Sequence, residues 1–358
     1  MVKDFSQFLP KTAVQTRPTG AANVLEKLGW KPFFSHQINP QDHGDLAPVR
    51  VAEVHRNGLH VLGNGIDMLI PPGLDATVGD WILYNAVQAS QSVVLERNSL
   101  IERRAPGKER RRQLIAANVD TLFIVSSCNK DFNIARLERY VSLAFEAEIA
   151  PVIVLTKTDL CEDPTPYTDA ATTISNRVSV VSLNALGTDA RSQLLPWCAA
   201  GQTVAFVGSS GVGKSTLVNA LFAQDLADTA GMREGDSKGR HTTTRRQLHF
   251  LPDGCAVLDT PGMRELQLTD VEAGVAEVFD DLTELATQCR FRNCAHDTEP
   301  GCAVQAALAR GEIDASRMAR WNKLAAEERF NSASLADRKA DDKTLHKAIR
   351  SIQKKNRK

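Results

Sequence analysis

Three kinds of residue cluster in this 358-residue chain have types and spacings suited to chemistry. The first is Gly208-Ser209-Ser210-Gly211-Val212-Gly213-Lys214-Ser215, which follows the apolar run TVAFV and opens the segment STLVNALFA. Strand, glycine loop and helix in that order make a phosphate cradle: the glycines let several backbone N–H groups point inward, and the helix N-terminus adds its positive dipole end. Lys214 is placed to neutralise the outer phosphates and Ser215 to offer its hydroxyl to a magnesium ion, with Thr216 completing the stretch. The second cluster is Thr156-Lys157-Thr158-Asp159, at the end of the apolar run PVIVL. A carboxylate there can accept from both N1–H and the amino group of guanine, a donor pair that adenine lacks. The Lys157 stem can lie across the base. Alone this motif is a weak signal, because Lys and Asp are routine residues after a strand. Asp259-Thr260-Pro261-Gly262 strengthens it: Asp259 can hold magnesium through a water, and the Gly262 N–H can bond a terminal phosphate. Thr242, Thr243 and Thr244 lie between the two motifs, and Thr243 is the first choice to complete the magnesium shell.

The third cluster is Cys289, Cys294, His296 and Cys302, spaced CxxxxCxHxxxxxC. Three thiolates and one imidazole can close a tetrahedral zinc shell with no site left for water, which makes one structural ion the expectation. The alternative is three buried thiols and a surface histidine. The other four of the seven cysteines lie far apart, so a disulfide framework is not expected.

Many phosphate-loop enzymes place a water-orienting glutamine after DxxG, but Met263 stands there and cannot hydrogen-bond in that role. His241, beside the threonines, is the candidate to orient the attacking water; the alternative is a surface histidine in a charged loop. Slow intrinsic turnover is expected, raised when a partner orders 226–245. Met263 and Thr156 would also suit a second reading, a nucleotide-sensing RNA-binding module with negligible hydrolysis.

These groups need elements to carry them. Residues 1–45 read as an arm with one short helix, AANVLEKLGW. PVRVAEVHR, GLHVLGNG, IDMLIPP, VGDWILYN and SVVLERN read as five short strands of a small β-barrel over 46–112, an OB-fold or an SH3-like barrel. From 113 to 280 strands and helices alternate: DTLFIVSS, PVIVLTK, RVSVVSL, QTVAFVG and AVLDT as strands, with Leu137, Val141, Ala144 and Phe145 on one face of a helix. Ligands of such open α/β sheets bind at the carboxyl ends of the strands. Residues 281–358 read as short helices around the cysteine loop. The predicted fold class is therefore multi-domain α/β.

Lysine plus arginine and aspartate plus glutamate number 43 each, so the formal net charge is zero. Charge is nonetheless segregated: 97–112 (RNSLIERRAPGKERRR) is strongly basic and 343–358 has no acidic residue. Such patches suit a phosphate backbone, or are simply a solvated loop and tail. No apolar run reaches membrane-span length and the N-terminus has no signal-peptide core, so a cytoplasmic protein with no membrane partner is expected.

Asp159 precedes the phosphate loop, the reverse of the usual GTPase order, and circular permutation accounts for this without altering the site. With QLIAANVDTLFIV, TKTDL, GSSGVGKSTLVNAL, GRHTTTR, LDTPGMREL and CRFRNCAHDTEPGC, the chain resembles the circularly permuted ribosome small-subunit-dependent GTPase A (RsgA) family over nearly its whole length. That resemblance implies an OB-fold barrel, a permuted P-loop GTPase and a zinc-binding helical domain with a basic tail. It also implies GTP hydrolysis with magnesium, and a role in late maturation of the small ribosomal subunit. The implied partners are that subunit and its rRNA, together with other assembly factors; a monomer is expected. Two departures stand out. Thr156 replaces the commoner asparagine, offering a hydroxyl instead of an amide to tie the phosphate loop. Ser182–Leu183 matches the usual serine–alanine pair only loosely.

Overall fold

The computed structural model describes residues 24–39, 41, 46–104, 112–228, 246–259 and 271–332. The arm begins with two short helices, α1 (Val24–Lys27) and α2 (Pro32–Ser35). Five strands follow: β1 (Ala47–His55), β2 (Gly58–Gly63), β3 (Ile66–Ile70), β4 (Trp81–Tyr84) and β5 (Val93–Val94). They pair antiparallel in the order β5-β4-β1-β2-β3. All five lie where alternating apolar residues predict strands. Asn64–Gly65 turns β2 into β3, with Gly65 at φ +71, which a two-residue hairpin favours. Val49, Val51, Leu59, Val61, Ile70 and Ile82 form a separate core for this unit.

A hairpin comes next, β6 (Leu100–Arg104) and β7 (Arg112–Ala117), paired antiparallel. It carries part of the basic stretch as a two-stranded ribbon where the sequence suggests a loop; 105–111 lie outside the described residues.

The α/β unit contains β8 (Thr121–Ser127), β9 (Ala150–Thr156), β10 (Ser179–Ser182), β11 (Thr203–Val207), β12 (Arg246–Phe250) and β13 (Ala256–Asp259). Strands β8, β9 and β11 are near-continuous apolar runs because both faces of a parallel sheet are covered. Successive side chains alternate between two cores. Leu122, Ile124, Ile153, Leu155 and Ala205 face one side, while Phe123, Val125, Val152, Val154 and Val204 face the other. Each such fully buried aliphatic side chain contributes about 1.5–3 kcal/mol. The order is β10-β9-β8-β11-β13-β12, parallel from β10 to β13, with β12 antiparallel to β13. β12 then pairs with β1 through Glu53↔Gln247 and Val54↔Arg246. Among the described residues, one sheet thus runs from the α/β unit into the N-terminal strands.

Among the described residues, the helices of the unit are α3 (Ile134–Glu146), α4 (Thr165–Thr172), α5 (Ala190–Leu194), α6 (Lys214–Asp228), α7 (Glu272–Val278), α8 (Asp280–Thr287), α9 (Ala303–Ala309) and α10 (Ala315–Ser332). Asn133 caps α3 by accepting from the Arg136 N–H at 3.0 Å, a contact worth about 1 kcal/mol. The helices after 271 share the core of the sheet: Val275, Phe279, Leu282, Met318 and Leu324 lie in the same apolar cluster as Leu122 and Ile153. Among the described residues no helix is long and apolar enough to cross a membrane.

Arg50 on β1 is almost completely buried where three parts meet. Its guanidinium donates to Leu28 O beside α1, at 2.5 Å, and to Thr203 Oγ1 at the start of β11, at 2.8 Å. It also lies 5.8 Å from the Trp81 ring centroid. Burial pulls its pKa down to about 10, opposed by Asp120 and Asp80.

Candidate nucleotide site and metal centre

The parallel order places the ends of β8, β9, β10 and β11 along one edge, the edge that binds ligands in open α/β sheets. Ser127 pairs with Thr156, Ser182 with Leu155, and Val207 with Ile124, so the loops 157–161, 183–187 and 208–213 leave the sheet side by side. The 157–161 and 208–213 loops are joined directly. Thr156 Oγ1, fully buried, donates to Val212 O at 2.6 Å, with Ser126 O a more distant acceptor at 3.1 Å. A hydroxyl has one proton, so this is a single bond where an asparagine amide has two donors.

The phosphate loop has the backbone its glycines permit. Gly208, Gly211 and Gly213 lie at φ +136, +77 and +100. At Gly208 a Cβ would stand 2.2 Å from Val125 O, so no side chain fits against β8. At Gly213 it would stand 3.7 Å from Thr156 Oγ1 and 3.8 Å from Ala185 Cβ. Lys214 Nζ donates to Gly208 O at 2.8 Å and Ser209 O at 2.5 Å, folding the ammonium back over the loop. Arg136 Nη1 donates to Ser209 Oγ from the first turn of α3. Ser210, Gly211 and Ser215 are exposed, whereas Val212 is buried beneath the loop.

Across the edge, Lys157 adopts φ +60 and Asp159 is exposed, with Thr158 beginning a short 3-10 turn. Asp159 and the phosphate loop, separated in sequence and in reversed order, therefore share one end of the sheet. Asp259 closes β13, paired with Gln247. His241, Thr242, Thr243, Thr244, Gly262 and Met263 lie outside the described residues. Sequence reasoning gave little weight to 182–185, yet this segment joins the site. Leu183 N donates to Leu155 O at 2.9 Å, and Ala185 faces the phosphate loop at Gly213. Its signal was only the strand RVSVVSL followed by Asn184 and Gly187. Arg136 was missed as well, being an exposed helix residue by pattern.

The chain is similar to known proteins over most of its length. The RsgA GTPase family model matches residues 94–269. A small ribosomal subunit biogenesis GTPase RsgA 2 of Vibrio parahaemolyticus is 47% identical over 340 residues, 94% of this chain and 95% of that protein. The chain belongs to the RsgA GTPase family. A Mesorhizobium japonicum relative, small ribosomal subunit biogenesis GTPase RsgA, is 50% identical over 322 residues, 88% of this chain and 92% of its own. The crystal structure of YjeQ from Thermotoga maritima superposes with a TM-score of 0.58 at 26% identity, covering 78% of this chain and 96% of that one. YloQ, described as a circularly permuted GTPase, superposes with 0.57 at 27%, covering 82% and 98%. This member of the RsgA family is accordingly a GTPase with a circularly permuted fold and a mixed sheet. An ABC transporter family model also matches, over 197–346. That overlap includes the strand, glycine loop and helix of 203–228, a unit common to many nucleotide-binding proteins.

The second site lies between α8 and α9. The donor atoms of Cys289, Cys294, His296 and Cys302 all fall within 4.8 Å of one another. Cys289 Sγ and Cys302 Sγ stand 3.5 and 3.6 Å from His296 Nδ1, and 3.9 Å from each other. A tetrahedral shell with Zn–S of about 2.3 Å and Zn–N of about 2.0 Å has edges of roughly 3.5–3.8 Å, so this donor set fits a zinc-sized ion. The loop is braced by its own Glu299 and by Gln305 of α9. Glu299 accepts from Ala295 N and Asp297 N at 2.9 and 3.0 Å, and Gln305 Nε2 donates to His296 O at 2.7 Å. Cys302 caps α9, with Gln305 N donating to its Sγ at 3.4 Å. Burial holds the His296 imidazole below its usual pKa, favouring the neutral form that ligates metal. The ring leans on Trp321 of α10 at 5.2 Å.

Proposed function

We propose that residues 156–159 and 208–216 bind one GTP molecule, which this GTPase hydrolyses while engaged in assembly of the small ribosomal subunit. The bond from Thr156 to Val212 supports this reading most strongly, because it couples the loop carrying Asp159 to the phosphate cradle. Asp159 accepts from the guanine edge and Lys157 covers the base. The amides of Ser209 to Thr216 receive the phosphates. Lys214, which donates to Gly208 O and Ser209 O, is placed to reach phosphate oxygens from the loop. Ser215 and Thr243 are assigned to magnesium, with Asp259 behind a water and Gly262 at the terminal phosphate. Bound there, magnesium would offset charge that develops on the phosphate oxygens. His241 is assigned to the attacking water.

Cys289, Cys294, His296 and Cys302 hold one structural zinc in this reading, which folds a loop too short to have its own core. The relatives, named as small ribosomal subunit biogenesis GTPases, support the small subunit as partner, and its rRNA is the ligand for the basic ribbon at β6–β7 and the basic tail. The five N-terminal strands are assigned to an OB-fold barrel. Arm (1–45), barrel (46–112), permuted GTPase (113–280) and zinc-binding helices (281–358) are the proposed units of a cytoplasmic monomer. GTPase activity measured against purified small and large ribosomal subunits tests the assignment. Stimulation by small subunits alone is expected; equal stimulation by both, or by neither, refutes it.

A further inference from the structure

Helix α3 touches the phosphate loop at one end and the C-terminal helices along the rest of its length. In its first turn, Arg136 donates to Ser209 Oγ. Two residues on, the carboxylate of Glu138 is fully buried, and both its oxygens accept from Arg320 Nε of α10 at 2.9 Å, with Arg317 at 4.0 Å. Arg139 pairs with Glu327 across the same two helices. Farther along, a Cβ at Gly274 of α7 would stand 2.0 Å from Ser142 O, and Glu146 accepts from Gly274 N at 2.8 Å. Removing one partner of a buried ion pair strands the other charge, so α3 and α10 cannot slide independently without heavy cost.

We propose that Arg136 is a positioning residue of the GTPase centre, and that α10 sets its position by gripping α3 through Glu138 and Arg320. The proposal rests on the reading of 208–216 as the GTP-binding loop. Ser209 is gripped from two sides, its carbonyl by Lys214 and its hydroxyl by Arg136. When Lys214 moves to a phosphate, Arg136 is the cation that remains on Ser209 and holds the first turn of the loop. Any load on the Cys/His loop reaches α10 through Trp321, which packs against His296. Through Glu138 that load moves the first turn of α3, and with it Ser209. The reverse path follows from linkage: nucleotide occupancy alters the set of α10 by the same free energy. The link consists of side-chain contacts between packed helices and needs no rearrangement of the sheet.

A double-mutant cycle tests it, with KM and kcat for GTP measured on the full chain as wild type, Arg136→Ala, Arg320→Ala and the double variant. Each single change is expected to raise KM about fivefold or more with a smaller change in kcat, and the double variant is expected to be no worse than the worse single. Arg136→Lys should recover part of the loss. Independent, multiplying effects, or an unchanged KM in Arg320→Ala, overturn the proposal. Circular dichroism and bound zinc check folding. If Arg320→Ala fails to fold, Glu327→Ala carries the same test at the more accessible pair. Arg310→Ala, on the exposed Arg310–Glu312 pair, serves as the unaffected control. Lys214→Ala separates the two levels. If it leaves GTP affinity intact, the reading of the loop fails and the proposal with it; if it abolishes binding while the cycle is multiplicative, only the proposal falls.

Discussion

Thr156 Oγ1 donates to Val212 O at 2.6 Å, and this one bond spans the strand-end loop that carries Asp159 and the phosphate cradle. Both groups are buried, so water cannot replace the bond if the hydroxyl is lost. Thr156→Val keeps the shape and strands the carbonyl, a cost of about 1–3 kcal/mol. The expected result is weaker GDP and GTP binding with an intact fold, read by fluorescent-nucleotide titration and a melting curve. Wild-type affinity would show that the tie does not govern the site.

The guanine preference is assigned to a single carboxylate. Asp159→Asn replaces two acceptors by one acceptor and one donor, which no longer matches guanine. Xanthine, with N1–H beside a carbonyl, matches the new pair. Loss of about a hundredfold or more in GTP affinity is expected, with recovery on xanthosine triphosphate. If the variant still prefers GTP over XTP, another group reads the base.

Much of the sheet was legible because β8, β9 and β11 are uninterrupted apolar runs, and the phosphate loop because its glycines answer specific close approaches such as that of Gly208 to Val125 O. Strand β12 was not legible. Its residues RQLHF lack an apolar run, and it becomes a strand by pairing with β13 on one side and β1 on the other. The same holds for Glu138 and Arg50. A charged residue in a helix or strand reads as solvent-facing, and only tertiary partners make it a buried clamp. Ala185 joined the site for a comparable reason: its nearness to Gly213 is set by the sheet order, which no local pattern records.

Removing the metal should loosen the Cys/His loop first. Chelation, or Cys302→Ser, is expected to release one zinc per chain, detected with a colorimetric chelator, and to raise hydrogen exchange over 289–302 and in α9. With an ion bound, the four donors would supply much of that loop's stability. Strands β8, β9 and β11, whose other face packs in a core that α9 does not enter, should keep their protection. Absence of stoichiometric zinc from protein purified without chelator would remove the metal assignment.

Arg50 joins the arm, the N-terminal strands and the base of β11 through Leu28 O and Thr203 Oγ1. It sits at the opposite end of β11 from the phosphate loop, so its role is to hold the units together. Arg50→Ala opens a cavity and leaves buried acceptors unmatched; a loss of about 3–5 kcal/mol is expected by urea denaturation. Arg50→Lys should recover little, because one ammonium cannot reproduce a fork that reaches two separate elements. The nucleotide affinity of whatever fraction remains folded should be near that of wild type. A loss below about 1 kcal/mol would mean that the pairing of β1 with β12 alone is sufficient to join the units.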